Sequence, residues 1–206
     1  MNLPNAITTL RVFLTPVVFV LVLKPGGSAR LLAFLVFLLA ALSDLWDGEL
    51  ARRRGQVTDF GKLVDPIADK LLLFATLVPF HVLTRRSPEL WNLPVFGGVS
   101  LWILVVFFGR ELLVTALRMR AARRGTVIAA RTSGKRKALA QNVFIGSTLL
   151  WLAFRGAERS HEWSGPLVAA WATFHGIFAA TALAVALLLT VVSLLVYVRA
   201  YGRLVR

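Results

Sequence analysis

The chain has 206 residues, and its apolar fraction of 57% exceeds the roughly 45–50% that is typical of soluble domains. Its mean hydropathy is +0.72. Cysteine is absent, which excludes disulfides and thiolate metal ligands. A net charge of +14 in a soluble protein would suggest nucleic acid. In so apolar a chain, this positive charge indicates a basic face that contacts anionic lipid and anionic substrates. We therefore expect no nucleic-acid partner.

Six apolar segments follow one another, each close to the roughly 20 residues that a helix needs to cross the hydrocarbon core. They cover 6–23, 29–46, 64–84, 94–117, 138–155 and 177–198. The short apolar stretch 165–176 is either an interfacial turn or the early part of the last helix. The sequence therefore predicts an all-α integral membrane protein, a single membrane-embedded domain over residues 1–206 with six transmembrane helices.

Basic residues are distributed unequally between alternate loops. Fifteen Lys or Arg residues lie in 47–63, in 118–137 and in the C-terminal tail, whereas the other three loops hold six. Cytoplasmic loops carry the excess of such residues in membrane proteins. We therefore expect both termini and the two basic loops to face the cytoplasm.

Acidic residues concentrate between the second and third segments, where six of the ten lie between Asp44 and Asp69. Asp44 and Asp47 are three residues apart, and Asp65 and Asp69 are four apart, so each pair shares one helical face. Carboxylates at a membrane edge are rare and usually functional. The alternative is that these aspartates only cap helices and pair with neighbouring arginines.

Four carboxylates brought together by the turn at 47–63 would repel one another unless cations neutralised them. Oxygen ligands in this number suit Mg²⁺ or Mn²⁺. Two such ions ~3.5–4 Å apart would clamp both sides of an in-line phosphoryl displacement. Gly48, Ala51 and Gly61 lie on the same helical stripes, where small residues leave room for a flat base and a pyrophosphate. Helix capping leaves these small residues unexplained.

The segment from Asp44 to Asp69 matches the pattern D-x2-D-G-x2-A-R-x8-G-x3-D-x3-D at all eight fixed positions. This pattern is the signature of the CDP-alcohol phosphatidyltransferases, and the chain resembles that family. The start of the chain resembles the opening motif of one branch, the phosphatidylglycerophosphate synthases, at Asn5, Thr8, Arg11 and Pro16. Three further segments resemble the same branch: Asp69-Lys70-Leu71, Arg110-Glu111, and Gly134-Lys135-Arg136-Lys137-Ala138 followed by Gln141. Ala138 departs from the usual Thr, and the last third matches only in hydropathy.

The resemblance implies a six-helix CDP-alcohol phosphotransferase fold, a homodimer, and a polar site open to the cytoplasm of a bacterial cytoplasmic membrane. It implies CDP-diacylglycerol as donor, CMP as leaving group and glycerol 3-phosphate as acceptor. Asp44, Asp47 and Asp65 would ligate metal, and Asp69 would ligate metal and act as general base. The CDP pocket would be lined by Gly48, Ala51, Arg52 and Gly61. Asn5 and Thr8 would form a polar stripe with Arg11 beside the nucleotide, unless Asn5 caps the helix and Arg11 extends to the membrane surface.

A dianionic acceptor phosphate needs fixed cations. We expect these in the region of about 110–141, and the candidates are Arg110, Arg118, Lys135 and Lys137. Arg110 lies inside an apolar segment, and a buried charge requires a partner. We expect Glu111, its neighbour in sequence, to point elsewhere, so that an anion across the bundle is the partner.

Two alternatives remain open. Within the family, the acceptor could be of a cardiolipin or inositol-phosphate type. From a different class, the aspartates could bind the transported cation of a small membrane transporter, although the inverted repeats and broken helices common in transporters are not found.

Overall fold

The computed structural model describes residues 3–53, 59–124 and 132–201, with the backbone alone for some residues near the ends of these ranges. Within them lie six long α-helices and no strand, so the all-α prediction is confirmed. The helices are α1 (Leu3–Leu23), α2 (Gly27–Arg53), α3 (Asp59–Arg86), α4 (Leu101–Arg123), α5 (Thr132–His161) and α6 (Pro166–Tyr201). A 3₁₀ turn, Pro88–Leu90, follows α3.

Each helix extends past its predicted apolar segment at one end or both, and only α4 begins later than its segment. The fourth segment was predicted over 94–117, but α4 begins at Leu101 because the preceding residues form an irregular connection. Val95 and Gly97 in that connection have φ angles of 73° and 66°, which a helix cannot accommodate. The stretch 165–176 is the first part of α6, whose 36 residues make a rod of about 54 Å.

Large apolar side chains cover the outside of the bundle. Phe13 is 70% exposed, Leu112 66% and Leu188 63%. A soluble protein rarely exposes so much apolar surface, so lipid is the fitting solvent. Among the described residues, Ile67–Arg86 and Pro166–Tyr201 are long and apolar enough to cross a bilayer, and Ile7–Leu23 and Gly27–Ser43 are shorter apolar helices. The prediction of six spans is thus supported in part.

Helix packing places α1 against α2 and α3, and α5 against α2 and α6, while α4 lies on α6. The α2 and α5 backbones approach each other closely at Gly27 and Gly156. A Cβ atom on Gly156 would lie 2.5 Å from the backbone nitrogen of Gly27, so only glycine fits this crossing. Phe80, Phe107 and Phe144 are fully buried in the core that fills the bundle.

The connection between α3 and α4 is tied to the helices at the end of the bundle where α5 ends and α6 begins. Asn92 donates a hydrogen bond to the Ala172 carbonyl oxygen at 2.6 Å, and the Trp151 indole donates to the Leu90 carbonyl oxygen at 2.8 Å. His175 stacks on Trp151 with ring centroids 4.7 Å apart. These contacts close one end of the bundle, and the polar cavity described next lies away from them.

Candidate active site

A cavity of about 120 Å³ lies between α1, α2, α3 and α5, with one side chain contributed by α4. Polar side chains supply much of its wall, in contrast to the apolar core that fills most of the bundle. The polar lining residues are Arg11, Asp69, Lys70, Glu111, Lys137, Gln141 and Asn142. Asp69 belongs to the acidic signature and Lys137 to the basic motif of α5, so the fold brings the two motifs to one cavity.

Arg11 reaches Asp69 from α1. Its guanidinium Nη1 donates to Asp69 Oδ1 at 3.2 Å, and the Arg11 side chain is only 1% exposed, whereas that of Asp69 is 57% exposed. The buried Arg11 side chain does not fit the alternative in which it extends to the membrane surface, and the polar stripe beside the nucleotide stays a prediction. Thr8, one turn earlier, is also buried. A charged residue inside the apolar segment 6–23 indicates that Arg11 needs a buried partner, but it does not identify Asp69 as that partner.

Glu111 corrects one of the expectations for α4. We expected it to point away from Arg110, but its carboxylate accepts from Arg110 Nη1 at 3.1 Å and also from the Lys137 ammonium. All three side chains are largely buried. Residues adjacent on a helix normally diverge, yet a long glutamate side chain and a long arginine side chain can still meet when both turn toward the same buried cation. Glu111 is thus a shared anion between α4 and α5.

Arg110 and Arg118 are further held by α6. Arg110 Nη2 donates to Ser193 Oγ at 2.7 Å, and Arg118 Nη2 donates to Tyr197 Oη at 2.6 Å. Both guanidinium groups lie over the Tyr197 ring, 5.6 Å and 5.3 Å from its centroid. Ser193 and Tyr197 lie in the last third of the chain, where only hydropathy was informative, and sequence reasoning gave them no role.

The four predicted acceptor residues are not gathered at one point. Lys137 lines the cavity together with Asp69, and Arg110 lies behind it through Glu111. Arg118 is eight residues from Arg110 on α4, about 12 Å along the helix. Lys135 is exposed and belongs to neither group.

Several motif residues outside the predicted set also line the cavity. Lys70, which follows Asp69, donates from Nζ to Thr115 Oγ1 at 2.8 Å and so connects α3 to α4. Gln141 is buried in the wall, and Ala138, the departure from the usual Thr, lies beside it. Ala138 contributes no hydroxyl where the related motif carries one.

The predicted metal and nucleotide ligands lie mostly outside the described side chains. The backbone places Asp44 and Asp47 in the last part of α2 and Asp65 in the first part of α3. Their side chains, and those of the predicted CDP-binding residues Asn5, Gly48, Ala51, Arg52 and Gly61, are not among the described ones. Among the side chains that are described, no group of three or more His, Cys, Asp or Glu could hold a metal. The exposed Asp69 carboxylate is compatible with a hard, oxygen-preferring cation.

Comparison with known proteins decides the family. Residues 1–198 match the sequence profile of the CDP-alcohol phosphatidyltransferases. The chain belongs to this family. Enzymes of this family are membrane proteins that generally depend on a divalent metal.

Three curated bacterial members are similar to this CDP-alcohol phosphatidyltransferase. The probable phosphatidylglycerophosphate synthase of Mycobacterium tuberculosis is 38% identical over 201 residues, covering 96% of this chain and 80% of that protein. The CDP-diacylglycerol–glycerol-3-phosphate 3-phosphatidyltransferase of Bacillus subtilis is 35% identical over 161 residues, covering 72% and 77%. The protein of the same name from Salmonella choleraesuis is 34% identical over 157 residues, covering 75% and 78%.

Proposed function

We propose that this CDP-alcohol phosphatidyltransferase transfers the phosphatidyl group of CDP-diacylglycerol to glycerol 3-phosphate, which gives phosphatidylglycerophosphate and CMP. The observation that carries the proposal is the shared cavity of Asp69 and Lys137, which joins the nucleotide signature to the basic motif. The names of the similar bacterial proteins support the same donor and acceptor.

The reaction is a direct displacement at the β-phosphorus of the donor. The acceptor hydroxyl oxygen forms the new bond to phosphorus, the bond to the CMP oxygen breaks, and the hydroxyl proton passes to the Asp69 carboxylate. Arg11 holds that carboxylate through its 3.2 Å hydrogen bond, which fixes the direction in which the base faces. Among the described side chains of the cavity there is no Ser, Cys or His that could act as a nucleophile, so no phosphatidyl-enzyme intermediate is expected.

A two-metal site of Mg²⁺ or Mn²⁺ would be held by Asp44, Asp47, Asp65 and Asp69. When bound, these ions would neutralise the pyrophosphate and stabilise the charge that spreads over its oxygens. The all-oxygen donor set fits these hard ions, and the cysteine-free sequence offers no thiolate alternative. Asn5, Thr8, Gly48, Ala51, Arg52 and Gly61 would line the CDP pocket.

The charges around the cavity suit a dianionic acceptor. Lys70 and Lys137 line the cavity, and Arg110 lies behind Lys137 through Glu111, which neutralises only part of this charge. Arg118 lies farther along α4, over the same Tyr197 ring as Arg110. Fixed cations of this kind bind phosphate through charge-assisted hydrogen bonds. We assign the acceptor phosphate to Arg110, Arg118 and Lys137, and Lys135 of the same basic motif stays a fourth predicted contact.

The proposal also covers how the helices lie in the membrane. We infer six membrane-spanning helices in a bacterial cytoplasmic membrane, with both termini and the active site on the cytoplasmic side, and a homodimer as the working unit. The unequal loop charges and the apolar outer surface support the orientation and the lipid environment.

The test is CMP release by the purified protein from CDP-diacylglycerol with a panel of acceptors. We expect release with glycerol 3-phosphate, and little with phosphatidylglycerol or inositol phosphate. Arg110→Ala should raise the KM for glycerol 3-phosphate far more than the KM for the donor, whereas Arg85→Ala, in the opposite loop, should change neither. Preferential release with another acceptor would assign the chain to a different branch, and no release with any acceptor would favour cation transport.

A further inference from the structure

The last helix takes part in the site although none of the sequence motifs lies on it. Ser193 and Tyr197 are one turn apart on α6 and are 0% and 1% exposed. Each accepts a short hydrogen bond from one of the acceptor-site arginines: Ser193 from Arg110 and Tyr197 from Arg118. Two buried hydroxyl groups thus point at two cations of α4.

The Tyr197 ring adds a second contact to each arginine. Both guanidinium carbons lie within about 6 Å of its centroid, the range in which a cation is attracted to an aromatic face. The two like charges are held near one another even though they repel. Glu111 offsets the charge of Arg110, but within the described part of the chain Arg118 has no carboxylate partner. Neutral groups therefore fix the Arg118 side chain without neutralising its charge.

Tyr197 itself is held independently of the main core. It packs with Val114 and Ala121 of α4 in a small separate cluster, with Leu194 and Tyr201 beside it. A ring fixed in this way can hold the arginines in one orientation before any ligand arrives. Such pre-organisation lowers the ordering cost of binding an anion.

We propose that Tyr197 and Ser193 are positioning residues that hold Arg118 and Arg110 as a fixed pair of cations for the phosphate of the acceptor. The inference rests on the proposed function, since it names how that acceptor is recognised. Neither residue touches the acceptor in this account, because both act through the arginines.

Tyr197→Phe removes the hydroxyl and keeps the ring. We expect the KM for glycerol 3-phosphate to rise about tenfold, in line with the loss of a hydrogen bond to a charged group. The KM for CDP-diacylglycerol and the melting temperature should stay close to the wild-type values. Ser193→Ala should raise the acceptor KM by a few-fold, because Arg110 keeps its bond to Glu111.

A control variant on α6 matches these changes. Thr190→Val removes a buried hydroxyl that bonds to its own helix at the Ala186 carbonyl oxygen, and it should leave the acceptor KM unchanged. A KM for glycerol 3-phosphate that stays at the wild-type value in Tyr197→Phe would overturn the proposal. So would a parallel rise of both KM values with a lower melting temperature, since that pattern indicates a structural role.

Inorganic phosphate provides a readout that does not depend on turnover. Phosphate should raise the melting temperature of the wild-type protein and of Thr190→Val, and should raise that of Tyr197→Phe much less. If the wild type releases no CMP with glycerol 3-phosphate, the proposed acceptor is wrong. The phosphate shift still decides whether Tyr197 organises an anion site, and equal shifts in wild type and Tyr197→Phe would refute it.

Discussion

Glu111 holds two buried cations, and its removal gives the sharpest test of the polar network. Glu111→Gln keeps the size of the side chain but leaves Arg110 and Lys137 without their anion. The three side chains are 16%, 8% and 7% exposed, so water can solvate the remaining charges only in part. Breaking a buried pair by removing one partner costs about 3–5 kcal/mol. For a chain of this length we expect the melting temperature to fall by roughly 6–20 °C.

A matched surface pair gives the control. Glu89 and Arg159 form an ion pair at 3.3 Å with side chains that are about half exposed. Exposed ion pairs contribute little because water and salt screen them, so Glu89→Gln should barely change the melting temperature. The assay is thermal unfolding of the purified protein in one detergent at fixed salt, followed by circular dichroism.

A double-mutant cycle separates the interaction from other effects of the substitution. Glu111→Gln combined with Lys137→Met removes both charges, so the double variant should be more stable than the sum of the single losses predicts. A coupling of about 0.5–3 kcal/mol is expected for residues in contact. If Glu111→Gln unfolds at the wild-type temperature, or if the cycle shows no coupling, the carboxylate does not hold this network.

Three further predictions concern other parts of the molecule. Gly156→Ala should destabilise the protein by about 1–3 kcal/mol, because its Cβ would overlap the backbone of Gly27. The control is Gly109→Ala, whose Cβ would meet nothing within 4 Å. It should be neutral or slightly stabilising in the same unfolding assay. Asp69→Asn should reduce CMP release by at least about 100-fold through loss of the base, while circular dichroism should show an unchanged helix content; activity near the wild-type value would remove Asp69 from the mechanism. Trp151→Phe should lower stability by about 1 kcal/mol through its lost hydrogen bond, and an unchanged melting temperature would contradict that role.

Sequence patterns predicted the helices well because the apolar segments are long and turn residues separate them. The error at 94–117 arose because Pro94, Val95 and Phe96 are apolar and extend the hydropathy signal into a connection that is not helical. Hydropathy reports how strongly a side chain prefers an apolar environment, and it carries no information about the backbone angles φ and ψ. The positive φ at Val95 could not be read from it.

Site residues could be predicted where they belong to a motif whose members lie close together in the sequence. Fixed gaps identified Asp69 and Lys137 as members of two motifs, and the structure brings both to one cavity. Partners that lie far apart in sequence were missed: Arg11 with Asp69 and Arg118 with Tyr197 are separated by 58 and 79 residues. Such pairs depend on how the helices pack, which no periodicity along one helix reveals. The orientation of Glu111 was predicted wrongly for a similar reason, because the cation that attracts it comes from α5.

The proposed phosphatidyl transfer requires a metal-loaded site made by the aspartates of α2 and α3. The direct measurement is Mn²⁺ binding to the EDTA-treated protein by electron paramagnetic resonance, in the presence of CDP and in parallel with CMP release. We predict two bound ions per chain, fewer in Asp44→Asn and Asp65→Asn, and no CMP release until Mn²⁺ or Mg²⁺ is restored. Full CMP release in excess EDTA, or wild-type Mn²⁺ binding by both variants, would contradict the proposed metal-dependent mechanism.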